Sequence, residues 1–164
     1  GSEKATRIAA PAERGAGAVG VSGMRDLICF RGEGGPAQLA ALGTRLEEAE
    51  SAPLFARLEG GQPMLVIDRA NCHDSAALEQ SLRETGELEV LQDVAAVSVV
   101  GLGIGDDPAH LSTLLSVAEE CEAEVLSVDS VPLRLTLLTR PQSVEELQRA
   151  LHARFIELER EDEE

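Results

Sequence analysis

Few side chains in this sequence are placed to do chemistry. The densest candidate is Cys72-His73-Asp74, a thiol, an imidazole and a carboxylate in succession, which are metal-ligand types. Adjacent side chains point apart on an extended chain, and no second ligand pair accompanies them, so Asp74 reads better as the cap of the helix that follows. Cys29, Cys72 and Cys121 are an odd number with no CxxC spacing, and they read as buried thiols of a reducing compartment. His110 and His152 fall on predicted helices with no Ser or Cys partner at catalytic spacing, which leaves them as surface or boundary residues. The glycine run GLGIGDDP, Gly101 to Pro108, lacks the third glycine of a dinucleotide fingerprint, and no parallel βαβ pattern surrounds it. Glycine there permits a tight strand-to-helix connection, with Asp106 or Asp107 as cap of the helix opening at Pro108. No catalytic residue and no metal site is expected in this stretch of chain.

Composition narrows the partners. A formal net charge of −16 opposes phosphate backbones and anionic lipid, which gain affinity by pairing with Lys and Arg. Aromatics make up 2% of residues, with no Trp or Tyr, so stacking platforms for single-stranded nucleic acid are missing. Neither nucleic acid nor a membrane is an expected partner. The core must be built from Leu, Val, Ile and Ala. No apolar run is long enough to span a bilayer and no secretory pattern opens the chain, which predicts a cytoplasmic location.

The elements that position these residues come in two copies. Pro36 to Leu54 (PAQLAALGTRLEEAESAPL) aligns without a gap against Pro108 to Leu126 (PAHLSTLLSVAEECEAEVL), and Ser75 to Leu82 resembles Val144 to Leu151. Short strands are predicted at Ala18–Ser22 and Asp26–Phe30, followed by a turn at Arg31–Gly35. A helix from Pro36 then carries Leu39, Leu42, Leu46 and Ala49 on its apolar side. Leu54–Leu58 and Pro63–Asp68 form a hairpin around Glu59–Gln62. Asp74 opens a helix through Leu78 and Leu82 that stops near Gly86, and short strands follow at Leu88–Leu91 and Ala95–Val100.

The second copy repeats this order. Its first helix presents Leu111, Leu114, Leu115 and Ala118, its strands are Val125–Val128 and Leu133–Leu138 around a turn at Ser130, and a Ser143/Glu146 capping box opens its last helix. That helix points Val144, Leu147, Leu151, Phe155 and Leu158 inward. Each copy is strand, helix, strand, strand, helix, and one further strand closes a βαββαβ ferredoxin-like unit. The first copy has Leu88–Leu91 for this. The second has only charged residues left, so Ala18–Ser22 is the expected donor, covering an otherwise open sheet edge. The expected division is a linker at 1–17, a first unit at 18–93 with strand 18–22 completing the second, a second unit at 94–158 and an acidic tail at 159–164.

With these residues in view, the second half resembles the regulatory region of aspartokinases, which carries paired ACT domains. VAAVSVVGLGIGDDPAHL is similar to that family's V-A-x-V-S-[IV]-V-G-x-G-M-x-x-x-P-G run, and LQRALHARF to its terminal A-V-x-A-L-H-x-x-F. Lys4 to Ile8 (KATRI) resembles the G-T-x-I stretch that ends the family's kinase domain. The resemblance implies an α+β fold: two ferredoxin-like βαββαβ ACT units, antiparallel sheets with helices on one face, intertwined through the N-terminal strand. It also implies a non-catalytic regulatory part, with ATP and Mg belonging to a covalently attached kinase domain that phosphorylates the side-chain carboxylate of aspartate.

An end-product amino acid, lysine or threonine, is the implied effector, and a homodimer the implied assembly. The implied pockets match Glu33, Gly34, Gly35, Pro36, Ala37 and Gln38 with Ala52, Pro53 and Leu54 in the first copy. In the second they match Asp106, Asp107, Pro108 and Ala109 with Leu126, Ser127 and Val128. Helix N-terminal amides would take the ligand carboxylate and an acidic side chain such as Glu33 its ammonium. The chain departs from the family pattern at Gly34, where an Asp is usual, at Ala52, where an Asn is usual, and at Leu58 and Glu59, which replace a Gln-Asn pair. Two further readings therefore stay open: an ACT pair kept only for subunit association, and an ACT pair attached to another enzyme of amino-acid metabolism.

Overall fold

The computed structural model describes residues 17–157. In chain order the elements are β1 (Gly20–Gly32), α1 (Gly35–Glu48), β2 (Phe55–Glu59), β3 (Gln62–Asp68), α2 (Ser75–Arg83), β4 (Leu88–Val100), α3 (Pro108–Glu120), β5 (Ser127–Val131), β6 (Arg134–Thr139) and α4 (Val144–His152). Most of the expected linker, Lys4 to Ile8 within it, and the acidic tail with Leu158 lie outside the described residues.

The chain divides into two compact units, Asp26–Val94 and a second that joins the residues ahead of Asp26 to those from Ala95 onward. Strand order is β2-β3-β1-β4 in the first unit and β5-β6-β4-β1 in the second. Each order reads as the second, third, first and fourth strands of a ferredoxin-like unit. The fourth strand of the later unit is Gly20–Arg25, which precedes the first unit in the chain. The interlacing expected from the missing last strand is therefore present.

Strand lengths correct the sequence reading. Ala18–Ser22 and Asp26–Phe30 are parts of one 13-residue strand, and Leu88–Leu91 and Ala95–Val100 parts of another. Each strand serves both units, and the polar residues that looked like breaks are exposed positions where one apolar run hands over to the next. Asp93 takes φ 55, a left-handed conformation uncommon outside glycine, at that handover in β4. Gly23 lies where α4 passes so close that a Cβ would come within 2.8 Å of Gln148 Cδ and Val144 Cγ1.

In the first unit, alternate residues of β1 and β3, Ile28, Phe30, Leu65 and Ile67, face Leu42 and Leu46 of α1 and Leu78 and Leu82 of α2. Burying each such side chain is worth about 1.5–3 kcal/mol. The half-exposed Arg45–Glu84 pair at 2.7 Å contributes at most about 1 kcal/mol, so packing positions the helices. The inward stripe of α1 is Gln38, Leu42 and Leu46, with Leu39 only half-buried and Ala49 an exposed C-cap, which corrects the expected stripe. Two left-handed glycines, Gly60 (φ 58) and Gly61 (φ 80), make the expected tight β2–β3 hairpin between Glu59 and Gln62.

In the second unit Val97, Val99, Leu135 and Leu137 face Leu114, Val117, Leu147 and Phe155. Leu115 turns out to solvent and Val117 takes its place. The β5–β6 turn falls at Pro132 and Leu133, since Val131 pairs with Arg134, and not around Ser130. Proline has no N–H for the ladder and belongs in the turn. No capping box forms at Ser143, whose backbone is already helical (φ −92, ψ −10), because a 3-10 turn at Pro141–Ser143 runs straight into α4. Of the cysteines only Cys29 is buried, and Cys72 and Cys121 are half-exposed.

Candidate functional site

The first unit holds an open cleft of about 980 Å³. One wall is the glycine turn from Arg31 to Gly34 with Ala37 and Gln38 of the first turns of α1, and the other is Thr85 to Glu89 at the entry to β4. Gln62 of the β2–β3 hairpin closes one end.

Sequence dictates the turn. Glycine at 32 and 34 leaves room for the Gln38 carboxamide, because a Cβ on Gly32 would overlap Oε1 and one on Gly34 would lie 2.8 Å from it. Gln38 is 5% exposed, and its Oε1 accepts the Gly34 N–H at 2.8 Å while its Nε2 donates to the Glu87 carbonyl at 3.1 Å. Gly34 at the N-cap has no side chain with which to cap α1, and Pro36 near the helix start contributes no N–H. The charged groups around the cleft are Glu33, Glu87 and Glu89 against Arg31. Behind this wall Cys29 is buried, and burial pushes its thiol pKa up against the opposing pull of the Arg31 guanidinium.

Of the first-copy residues singled out from sequence, Glu33, Gly34, Ala37 and Gln38 line the cleft, and Gly35 and Pro36 lie between them on the same helix start. Ala52, Pro53 and Leu54 do not line it. They lead into β2, where the Leu54 N–H bonds the Val66 carbonyl at 2.8 Å. Sequence reasoning missed Arg31, Gly32, Gln62 and the whole Thr85–Glu89 wall, which only the tertiary fold brings opposite the turn. One signal was available: Gln38 is a polar residue in register with Leu42 and Leu46 on an apolar face.

The matching turn of the second unit is closed. Gly101 N–H donates to Leu133 O at 3.0 Å and Gly105 N–H to Pro132 O at 3.2 Å, so the turn is bonded onto the β5–β6 hairpin. A Cβ on Gly105 would overlap the Val131 carbonyl oxygen. Asp107 caps α3 by accepting the Ala109 N–H at 2.9 Å, and Asp106 is exposed beside it, its N–H bonded to Gly103 O at 3.0 Å. Pro108 and Ala109 form the exposed start of α3, Leu126 bonds Leu138 O at 2.8 Å, and Ser127 and Val128 lie on β5 with Val128 packed on the core.

The remaining reactive residues have structural partners. Cys72 Sγ lies 3.4 Å from Asp68 O and 3.6 Å from Ser51 Oγ, while Asp74 caps α2 by accepting the Ala77 N–H at 3.1 Å. Among the described residues no His, Cys, Asp or Glu cluster is arranged to hold a metal ion. His110 is half-buried, donating from Nδ1 to Ile104 O at 2.9 Å, and exposed His152 lies 3.3 Å from the Glu157 carboxylate. No described helix is long and apolar enough to cross a membrane.

Two interlaced ferredoxin-like units, one with an open cleft at its glycine turn, define the fold. Solved structures share it. The chain is similar to the ligand-free regulatory subunit of aspartate kinase from Thermus thermophilus, at 19% identity and TM-score 0.70 over 82% of this chain and 95% of that one. It is also similar to Clostridium acetobutylicum aspartate kinase, at 11% identity and TM-score 0.74 over 85% of this chain and 34% of that one. A third likeness is to E. coli aspartokinase III in complex with lysine and aspartate, at 14% identity and TM-score 0.63 over 83% and 32%. No protein-family model and no curated protein matches the sequence. The chain thus has the fold of the regulatory part of aspartate kinases.

Proposed function

We infer that this chain is the amino-acid-sensing regulatory part of an aspartate kinase. A small end-product amino acid, lysine or threonine, binds the cleft of the first unit and shifts the attached kinase domain toward an inhibited state, by no more than its differential affinity for the two states. ATP and Mg belong to that kinase domain, and the assembly is a cytoplasmic homodimer. The observation that carries the reading is the open cleft at the glycine turn of a fold otherwise met in aspartate kinase regulatory parts.

The local chemistry favours lysine. The α1 amides and Arg31 suit a carboxylate, and three carboxylates, Glu33, Glu87 and Glu89, suit two ammonium groups better than the one of threonine. The lysine complex of E. coli aspartokinase III supports the same choice.

Thermal-shift and calorimetric titration with lysine, threonine and methionine test it. A saturable rise in Tm is expected with lysine, equivalent to about 2.7 kcal/mol at a hundredfold excess over Kd. No response to any of the three, with a dimer that persists on dilution, leaves the alternative of a pair kept for subunit association. The closed turn of the second unit favours that alternative for the second repeat.

A further inference from the structure

Gln38 lies on the stripe that Leu42 and Leu46 use for packing, yet its carboxamide is committed to backbone on both sides of the cleft. Oε1 holds the N–H of Gly34, the N-cap residue just ahead of α1, and Nε2 holds the carbonyl of Glu87 on the facing wall. Three glycines make the space: besides Gly32 and Gly34, a Cβ on Gly86 would come to 3.1 Å from Nε2. The acceptor at the start of α1 is thus the chain's own side chain. In the second unit the Asp107 carboxylate takes the N–H of Ala109, the counterpart of Ala37 rather than of Gly34.

We propose that Gln38 is a built-in competitor for the carboxylate of the ligand. The idea rests on the reading of the cleft as an amino-acid site. A ligand carboxylate takes the Gly34 N–H, Gln38 swings out, and Glu87 is released from the turn in the same movement. Exchange is favourable because a charge-assisted bond is roughly twice as strong as the neutral one it replaces, whereas water offers no such gain. Ligand affinity is lowered by the work of displacing the side chain, and removing the competitor returns that affinity.

Calorimetric titration of the wild-type chain, Gln38→Ala and Gln38→Met with L-lysine, L-threonine and 1,5-diaminopentane tests the proposal, the last being lysine without its carboxylate. Gln38→Met keeps the volume and apolar stem should Gln38→Ala fold poorly. Both variants are expected to bind lysine about tenfold more tightly than wild type, the worth of one to two net hydrogen bonds, with diaminopentane unchanged. Binding of an amino acid by the variants alone supports the proposal equally. Unchanged or weaker lysine binding in both variants, with wild type still binding, overturns the competitor and leaves the amino-acid site standing. An equal gain for diaminopentane also overturns it, because the carboxylate would then not be what Gln38 opposes. If neither wild type nor variants bind lysine or threonine, the amino-acid site falls and the competitor with it.

Discussion

Gln38 and His110 hold the same place in the two repeats, each two residues after the helix-opening proline, and each sends its side chain back to the turn before its helix. Gln38 spans an open cleft. His110 instead ties down a closed turn through Ile104 O, and its ring lies 5.9 Å from that of Phe155 at 59°. Its role is therefore structural: His110→Ala is expected to cost about 1–2 kcal/mol, the sum of one net hydrogen bond and one aromatic contact. Urea unfolding reads this directly, and a change below about 0.3 kcal/mol would place the turn's rigidity elsewhere.

Helices α1 and α3 end alike. Ser51 N–H bonds Leu46 O at 2.9 Å and Ala123 N–H bonds Ala118 O at 2.9 Å, each after a left-handed glutamate, Glu50 (φ 53) or Glu122 (φ 54). That backbone suits glycine and costs other residues roughly 1 kcal/mol. Glu50→Gly and Glu122→Gly are each expected to stabilise the chain by about 0.5–1 kcal/mol, read as a higher denaturation midpoint at unchanged m-value.

Two glycine-to-alanine changes should have opposite signs. Gly43 sits inside α1 with nothing within 4 Å of the position a Cβ would take, so Gly43→Ala should stabilise by about 0.5–1 kcal/mol. At Gly105 the Cβ meets the Val131 backbone carbonyl, which yields only by moving the hairpin, and Gly105→Ala should cost about 3 kcal/mol. Thermal melts of the two variants beside wild type check both signs at once.

Alkaline stability should be governed by thiols, since the sequence has no tyrosine. Burial raises the Cys29 pKa above its ordinary 9.0 against the pull of Arg31, and burial and then the neighbouring Glu146 raise that of Cys121. The folded chain holds these protons more tightly than the unfolded one. Their stabilisation is complete below the ordinary thiol pKa and is lost as pH climbs through the raised values. Denaturation midpoints should thus fall from about pH 8.5 upward, and Cys29→Ala should flatten the decline while lowering stability at neutral pH. An unaltered slope in Cys29→Ala would assign the effect to other groups.

Much of the fold was legible because duplication supplied two readings of one pattern. The cap Asp74, a cap at Asp106 or Asp107, the Glu59–Gln62 hairpin and the need for a borrowed strand all follow from local chemistry or from counting strands, and the structure selects Asp107. What misled was local chemistry overridden by neighbours. Ser143 has the residues of a capping box, but the turn begun at Pro141 had already set its backbone. Polar residues in the middle of β1 and β4 looked like chain breaks because a strand shared by two cores changes its buried run halfway. The cleft was half legible: the glycine turn is written in consecutive residues, whereas Thr85–Glu89 reach it only through the path of α2.

The sharing of β1 also sets an order on synthesis. Gly20–Arg25 is made before any of the first unit, yet its neighbour Ala95–Val100 follows only after that whole unit has been translated. At about 5–20 residues/s the early segment waits on the order of ten seconds on the ribosome, its partner unborn. Asp26–Val94 is contiguous and can close as it emerges. The other half is assembled from segments made before and after that unit.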